Sequence, residues 1–179
     1  GIIAVAVGLA SQHALGNIMS GTFIVIFKPF RVNDRIGIRD RYNGIVEDIT
    51  LRHTVIRDFE NKRIIIPNSV ISTEVLVNSD IEEGKICKWI DFNVEYGSNL
   101  KQVSEIVTEV VSNHPHWIDN RTKQQIKDGE PRVNVRVILL GENGIQMRAW
   151  AWASNAALGF IPACDIYESI YNKFQEEGI

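Results

Sequence analysis

From Gly1 to Phe27 the chain carries no Asp, Glu, Lys or Arg, and its first charge is Lys28. As one straight helix these 27 residues would reach about 40 Å at about 1.5 Å each, more than the ~30 Å hydrocarbon core of a bilayer. The run is therefore expected to cross a membrane and to bend. Ser11, Gln12 and His13 interrupt it and Gly16 and Gly21 follow, so the pattern predicts two helices joined by a kink. The second half, Leu15 to Phe27, mixes Asn17, Ser20 and Thr22 with apolar residues, which suits a helix lying along a membrane interface.

Small residues recur at helical spacing: Ala4 with Gly8, Ala6 with Ala10 and Ala14, then Gly16 and Ser20. They leave shallow grooves in which neighbouring backbones pack closely. Val5 and Leu9 stand between the grooves, one helical turn apart and so on one face. Copies arranged in a ring would stack these two side chains as apolar rings on an axis, and such rings close a pore by dewetting.

After Pro29 the period changes to two. Ile36 and Ile38 alternate with Arg35, Gly37 and Arg39, which starts a strand. Tyr42-Asn43-Gly44 is the strongest short turn signal, with Ile45 to Ile49 as the returning strand. Residues 52 to 59 form another strand, Glu60-Asn61-Lys62 a turn, and Arg63 to Ile66 a strand whose Ile64, Ile65 and Ile66 are expected to be buried on both faces, one of them against a neighbouring subunit. Pro67-Asn68-Ser69 ends it before a short helical turn capped by Asn68 or Ser69. The pattern predicts a small Sm-like β-barrel or β-sandwich over 31–80, after the helix at 1–30.

Residues 81–179 follow as an α+β unit, ferredoxin-like or nearly so. Lys85 to Val94 alternates as a strand, and Ser98 is placed to cap a helix to about Asn113 whose apolar face is Leu100, Val103, Ile106, Val107 and Val110. Pro131 to Leu140 and Gly144 to Ser154 read as two strands, and residues 162 to 177 as a closing amphipathic helix. The boundary between the units is expected within Ser79 to Gly84.

Charge sharpens this division. Residues 28 to 73 hold nine Lys or Arg against six Asp or Glu, and residues 74 to 179 hold ten against sixteen. Lys28, Arg31, Arg35, Arg39 and Arg41 crowd the end of the apolar run, which by the positive-inside rule places the following units in the cytoplasm. Cys87 and Cys164 lie in no metal-binding spacing and suit free thiols in a reducing compartment. The chain begins at Gly1 and is expected to be a piece of a longer protein.

No phosphate loop, nucleophile elbow or zinc-protease motif is present, so no enzyme, cofactor or metal is expected. His114-Pro115-His116 has no partner at ligand spacing and reads as a loop. Trp150 and Trp152 share one face of a strand and suit a core or an intersubunit face; Glu82-Glu83 is a solvated turn.

Gly8-Leu9-Ala10-Ser11-Gln12, then Asn17, Gly21 and Phe27-Lys28-Pro29-Phe30-Arg31-Val32, resemble the pore helix and exit of the small-conductance mechanosensitive channel (MscS) family. Gly44-Ile45-Val46, Arg63 to Ile71 with its Ile-Pro-Asn, and Asn78-Ser79 resemble that family's middle β-domain. The resemblance implies a homo-oligomer, a heptamer, in the inner (plasma) membrane, multi-pass in the full-length protein and in contact with membrane lipid. Such a channel is gated by tension and passes ions and small solutes under hypo-osmotic stress. It places Val5 and Leu9 at the two constriction positions, and His13 where many members carry a kink glycine. That departure makes Gly21 or Gly16 the hinge candidate, with Ala4 and Gly8 as helix-packing positions. Two other readings remain open. A basic β-barrel module binding nucleic acid has only three excess positive charges and no aromatic-rich strand to support it, so no nucleic-acid partner is expected. A membrane-anchored scaffold needs no ring at all.

Overall fold

The computed structural model describes residues 1–39, 41–81, 84–155 and 160–179, apart from the side chains of Ala4, Phe160 and Ile161. The Glu82-Glu83 turn therefore lies outside the described residues. The chain divides into two compact units, Gly1–Glu83 and Gly84–Ile179, each with its own core.

Helix α1 (Ile2–Phe27) is one uninterrupted element, which corrects the expected pair joined by a kink. The polar residues do not break it, and two of them bond back onto its own backbone. Asn17 Nδ2 donates to the His13 carbonyl and Thr22 Oγ1 to the Ile18 carbonyl, each at 2.9 Å. Among the described residues no helix is long and apolar enough to cross a membrane. The helix ends on Lys28 in the left-handed conformation, whose N–H caps the Ile24 carbonyl at 2.9 Å, and Pro29 cannot continue it.

The first sheet comprises β1 (Arg35–Ile38), β2 (Tyr42–Ile49), β3 (His53–Arg57), β4 (Arg63–Pro67) and β5 (Leu76–Asn78), in the order β4-β3-β2-β1-β5. Helix α2 (Asn68–Ile71) joins β4 to the segment before β5. The reversal between β1 and β2 falls between Ile38 and Tyr42, wholly before the Asn-Gly signal, since Ile38 already pairs with Tyr42. Gly44 sits inside β2, and a Cβ there would lie 2.4 Å from the Arg57 carbonyl oxygen. Ile24, Phe30, Ile36, Ile38, Val46, Ile56, Ile66 and Ile71 form the core. Each such side chain contributes about 1.5–3 kcal/mol through burial. Within one chain strand β4 is buried on one face: Ile66 is in the core, and Ile65, on the face expected to meet a neighbouring subunit, is 64% exposed.

The second unit packs α3 (Leu100–Asn113) and α5 (Phe160–Glu177) with a sheet of β6 (Ile86–Val94), β7 (Asn134–Gly141) and β8 (Gly144–Ala153). Strand β8 lies between β6 and β7 and is antiparallel to both. Alternate β8 residues Ile145, Met147, Ala149, Ala151 and Ala153 face the core with Val103, Val107 and Val111 of α3. The cap of α3 is Asn99 rather than Ser98; its Oδ1 accepts from the N–H groups of Lys101 and Gln102. A further short helix, α4 (Lys123–Lys127), opens with Thr122 and Gln125 capping each other reciprocally. Its five residues are too few to show a helical period in the sequence.

Candidate functional site

The C-terminal half of α1 is seated on the loop and short helix that follow β2 and β4. Gly21 is buried there, and a Cβ on it would lie 2.3 Å from the Leu51 carbonyl oxygen and 2.5 Å from Asn68 Nδ2. Glycine is the only residue that allows this approach. One turn earlier on the same face, Asn17 Oδ1 accepts the Ser69 N–H at 3.0 Å, satisfying one of the orphan donors at the start of α2.

Asn68 is the post under this seat. It is fully buried, and rather than capping α2 its side chain turns inward: Nδ2 donates to the Thr50 carbonyl and Oδ1 accepts from the buried Thr54 hydroxyl, each at 2.9 Å. Its own N–H donates to the Arg52 carbonyl at 3.1 Å. Every polar atom of the side chain has a partner, so the post resists displacement. Below the helix, Asn78 Nδ2 donates to the Pro29 carbonyl at 3.1 Å and to Asp34 Oδ2 at 2.9 Å, which holds the chain where it leaves α1.

The N-terminal half of α1 has no such support. Val5 and Leu9 are 63% and 64% exposed and lie on one face. Gly8 and Gly16 have nothing within 4 Å of a Cβ placed on them, and the side chain of Ala4 lies outside the described residues. Of the glycines singled out, only Gly21 is thus held against the chain's own fold. His13 is exposed and precedes Asn17 by one turn.

The basic residues past the helix are largely engaged. Arg39 is ion-paired with Glu74, and this hydrogen bond holds the Glu74 carboxyl below the usual range. Arg41 lies over the Tyr42 ring at 5.3 Å and Arg35 over Phe59 at 5.2 Å. Arg63 grips both oxygens of Glu47, at 3.0 and 3.1 Å, and lowers that carboxyl in the same way. In the second unit both cysteines are free, and burial pushes the Cys87 thiol up, away from the reactive thiolate. His116 N–H donates to His114 Nδ1 at 3.3 Å, and His114 Nε2 lies 3.7 Å from Asp165.

Sequence reasoning placed Asn68 or Ser69 at a cap and missed the seat made by Asn17, Leu51, Asn68 and Ser69. The available signal was Asn17 and Gly21 four residues apart, a polar group and a small one on a single face of an otherwise apolar helix.

The Mechanosensitive ion channel, beta-domain family matches residues 13–80, and the Mechanosensitive ion channel MscS, C-terminal family matches residues 90–179. The mechanosensitive channel MscK of Escherichia coli is 34% identical over 63% of this chain and 10% of its own length. The small-conductance mechanosensitive channel MscMJ of Methanocaldococcus jannaschii is 28% identical over 100% of this chain and 49% of its own. The chain thus spans from a tenth to about half of these curated relatives. Among solved structures, Helicobacter pylori MscS in its closed state has the same fold, with a TM-score of 0.82 at 22% identity over 98% of this chain and 65% of that one. Arabidopsis thaliana MSL1 aligns with a TM-score of 0.63 at 20% identity over 98% of this chain and 57% of that one.

Proposed function

The chain belongs to the MscS family of mechanosensitive ion channels, and from that premise we propose that it is the pore helix and adjoining units of a homo-oligomeric membrane channel. Membrane tension opens this channel to release ions and small solutes. The division of α1 carries the reading. Its C-terminal half is anchored through Asn17, Gly21 and Ile24, whereas its N-terminal half presents Val5 and Leu9 to solvent. An apolar helical face left in water by one chain is covered when copies pack around an axis.

In that ring Val5 and Leu9 form the hydrophobic gate. Ala4 and Gly8 are the positions where neighbouring helices approach. The hinge lies above the seat, with Gly16 as its residue, while Gly21 serves the seat itself. A helix lining a ring touches its neighbours and the pore more than lipid, so the polar residues from Ser11 onward suit this place. Seven copies is the number that family resemblance implies. The two units then stand on the cytoplasmic side of the inner membrane, as the arginines after Lys28 suggest.

The order β4-β3-β2-β1-β5 with α2 before the last strand supports an Sm-like first unit. The insertion of β8 between β6 and β7 supports a ferredoxin-like second unit. The family is one of channels, and the reading is of a channel rather than an enzyme.

The test is to reconstitute the full-length protein in liposomes, apply suction to excised patches, and measure its mass in detergent. Stepwise currents that appear with tension, together with a single large ring, are the expected result. A monomer with no tension-dependent current overturns the proposal.

A further inference from the structure

On the face of the β6-β8-β7 sheet opposite α3 and α5, a groove of about 460 Å³ opens between that sheet and the segment carrying α4. Trp150 and Trp152 line it from alternate positions of β8 and are half-buried. Asn134, exposed and in direct register with Trp150, lines it beside them. Three arginines line the same space against one glutamate, within the half of the chain where acids outnumber bases.

These arginines differ in what they already hold. Arg121 is spent: it bonds both oxygens of Asp119, at 2.9 and 2.7 Å, and the Glu130 carbonyl at 2.7 Å. Arg132 is exposed, lies over the Trp117 ring at 5.0 Å, and has no ion pair with a carboxylate among the described residues. Arg136 is exposed and likewise unpaired among the described residues, and it stands directly opposite Arg148 across the β7–β8 ladder. Arg148 is neutralised by Asp91 through bonds of 2.5 and 2.8 Å, but no carboxylate answers Arg136. With Arg148 already paired to Asp91, Arg136 is the uncompensated charge of the two, and an anion arriving here would gain charge-assisted hydrogen bonds from it.

We propose that this groove binds a nucleotide, with the base against the Trp150–Trp152 face, Asn134 at the base edge, and the phosphate on Arg132 and Arg136. Planar guanidinium groups suit phosphate oxygens, and indole faces suit a base. The volume leaves room for more than an ion. A groove of about 460 Å³ lies in the range of small-molecule sites and is far larger than a phosphate ion needs. The site lies within the second unit and is independent of the gate, so it goes beyond the proposed channel function.

The experiment uses the full-length assembled protein in detergent and measures binding by equilibrium dialysis with AMP, adenosine and inorganic phosphate in parallel. AMP is expected to saturate one site per chain, with adenosine and phosphate each weaker by about tenfold or more. Arg136→Ala, at an exposed position, should weaken AMP by about tenfold and leave adenosine nearly unchanged, the loss expected for one charge-assisted contact. Asn134→Asp, which sets a carboxylate beside Trp150, should weaken AMP more than adenosine, and it serves if the arginine variant fails to assemble. Equal binding of AMP and inorganic phosphate would reduce the site to a plain anion patch and overturn the assignment. So would AMP binding that ignores both substitutions. Absence of saturable AMP binding in the intact assembly also overturns it, and AMP binding that appears only after dissociation would assign the groove to a neighbouring copy.

Discussion

The Ser69 N–H donates to Asn17 Oδ1 at 3.0 Å across a separation of 52 residues, tying the middle of the long helix to the first turn of α2. This bond, with Gly21 lying against Leu51 one turn later, makes the lower part of α1 a piece of the β-unit. Motion of the helix relative to that unit must then begin above Asn17 or break the bond.

Replacing Asn17 by Leu removes the acceptor and leaves the Ser69 N–H without its partner. An unsatisfied donor costs about 1–3 kcal/mol when fully buried, and less at the half-buried Ser69. Faster hydrogen exchange at Ser69 is expected, together with an altered decay of patch current under constant suction. Unchanged exchange at that amide would remove Asn17 from the seat.

Gly21 and Gly16 separate two effects that look alike in the sequence. Ala at Gly21 places a Cβ 2.3 Å from backbone, so the helix must shift; lower thermal stability is expected despite alanine's better helix propensity. Ala at Gly16 meets nothing within 4 Å and should stiffen the helix by about 1 kcal/mol per chain. Slower loss of current under sustained tension is expected for Gly16→Ala alone. Equal melting temperatures for Gly21→Ala and wild type would contradict the close packing.

Leu9→Ser hydrates the proposed constriction, so less work is needed to wet it. Opening should shift to lower tension, with resting leak in liposome patches. A threshold and leak equal to wild type would place the gate elsewhere on α1.

Ile65 is exposed on β4, the edge strand of its sheet, so Ile65→Asp should leave the chain folded and act on assembly. Circular dichroism near that of wild type with loss of the ring by mass is expected. A fully assembled ring would show that this face meets no neighbour.

Acid should loosen the second unit at the Asp91–Arg148 pair. The Arg148 guanidinium hydrogen-bonds Asp91 and holds its carboxyl below the usual value, near 3.9 in an unfolded chain. The pair's contribution is complete above about pH 5 and falls as pH drops through 3.9 toward the lower folded value. Asp91→Asn should flatten that part of the acid-unfolding profile, followed by tryptophan fluorescence because Trp89 stacks 4.0 Å from the Arg148 guanidinium. An unaltered profile would exclude the pair as a source of acid sensitivity.

The sequence by itself determined what rests on local patterning. The charge-free run, the change of period after Pro29, and the strand–helix order of the second half are all legible, because periodicity reports which face of an element is apolar. Val5 and Leu9 were legible as one face for the same reason. Only the tertiary structure decided what depends on distant neighbours. Asn43-Gly44 carries a turn signal, yet Gly44 is a strand residue paired with Ile36, and it is glycine because the Arg57 carbonyl comes too close for any side chain. The three isoleucines of β4 look alike in sequence, and only sheet packing separates buried Ile66 from exposed Ile65. Gly21 read as a bend from the sequence, and only the fold shows its contact: a glycine's requirement for space is set by Leu51 and Asn68, residues far along the chain that the helix meets only when folded.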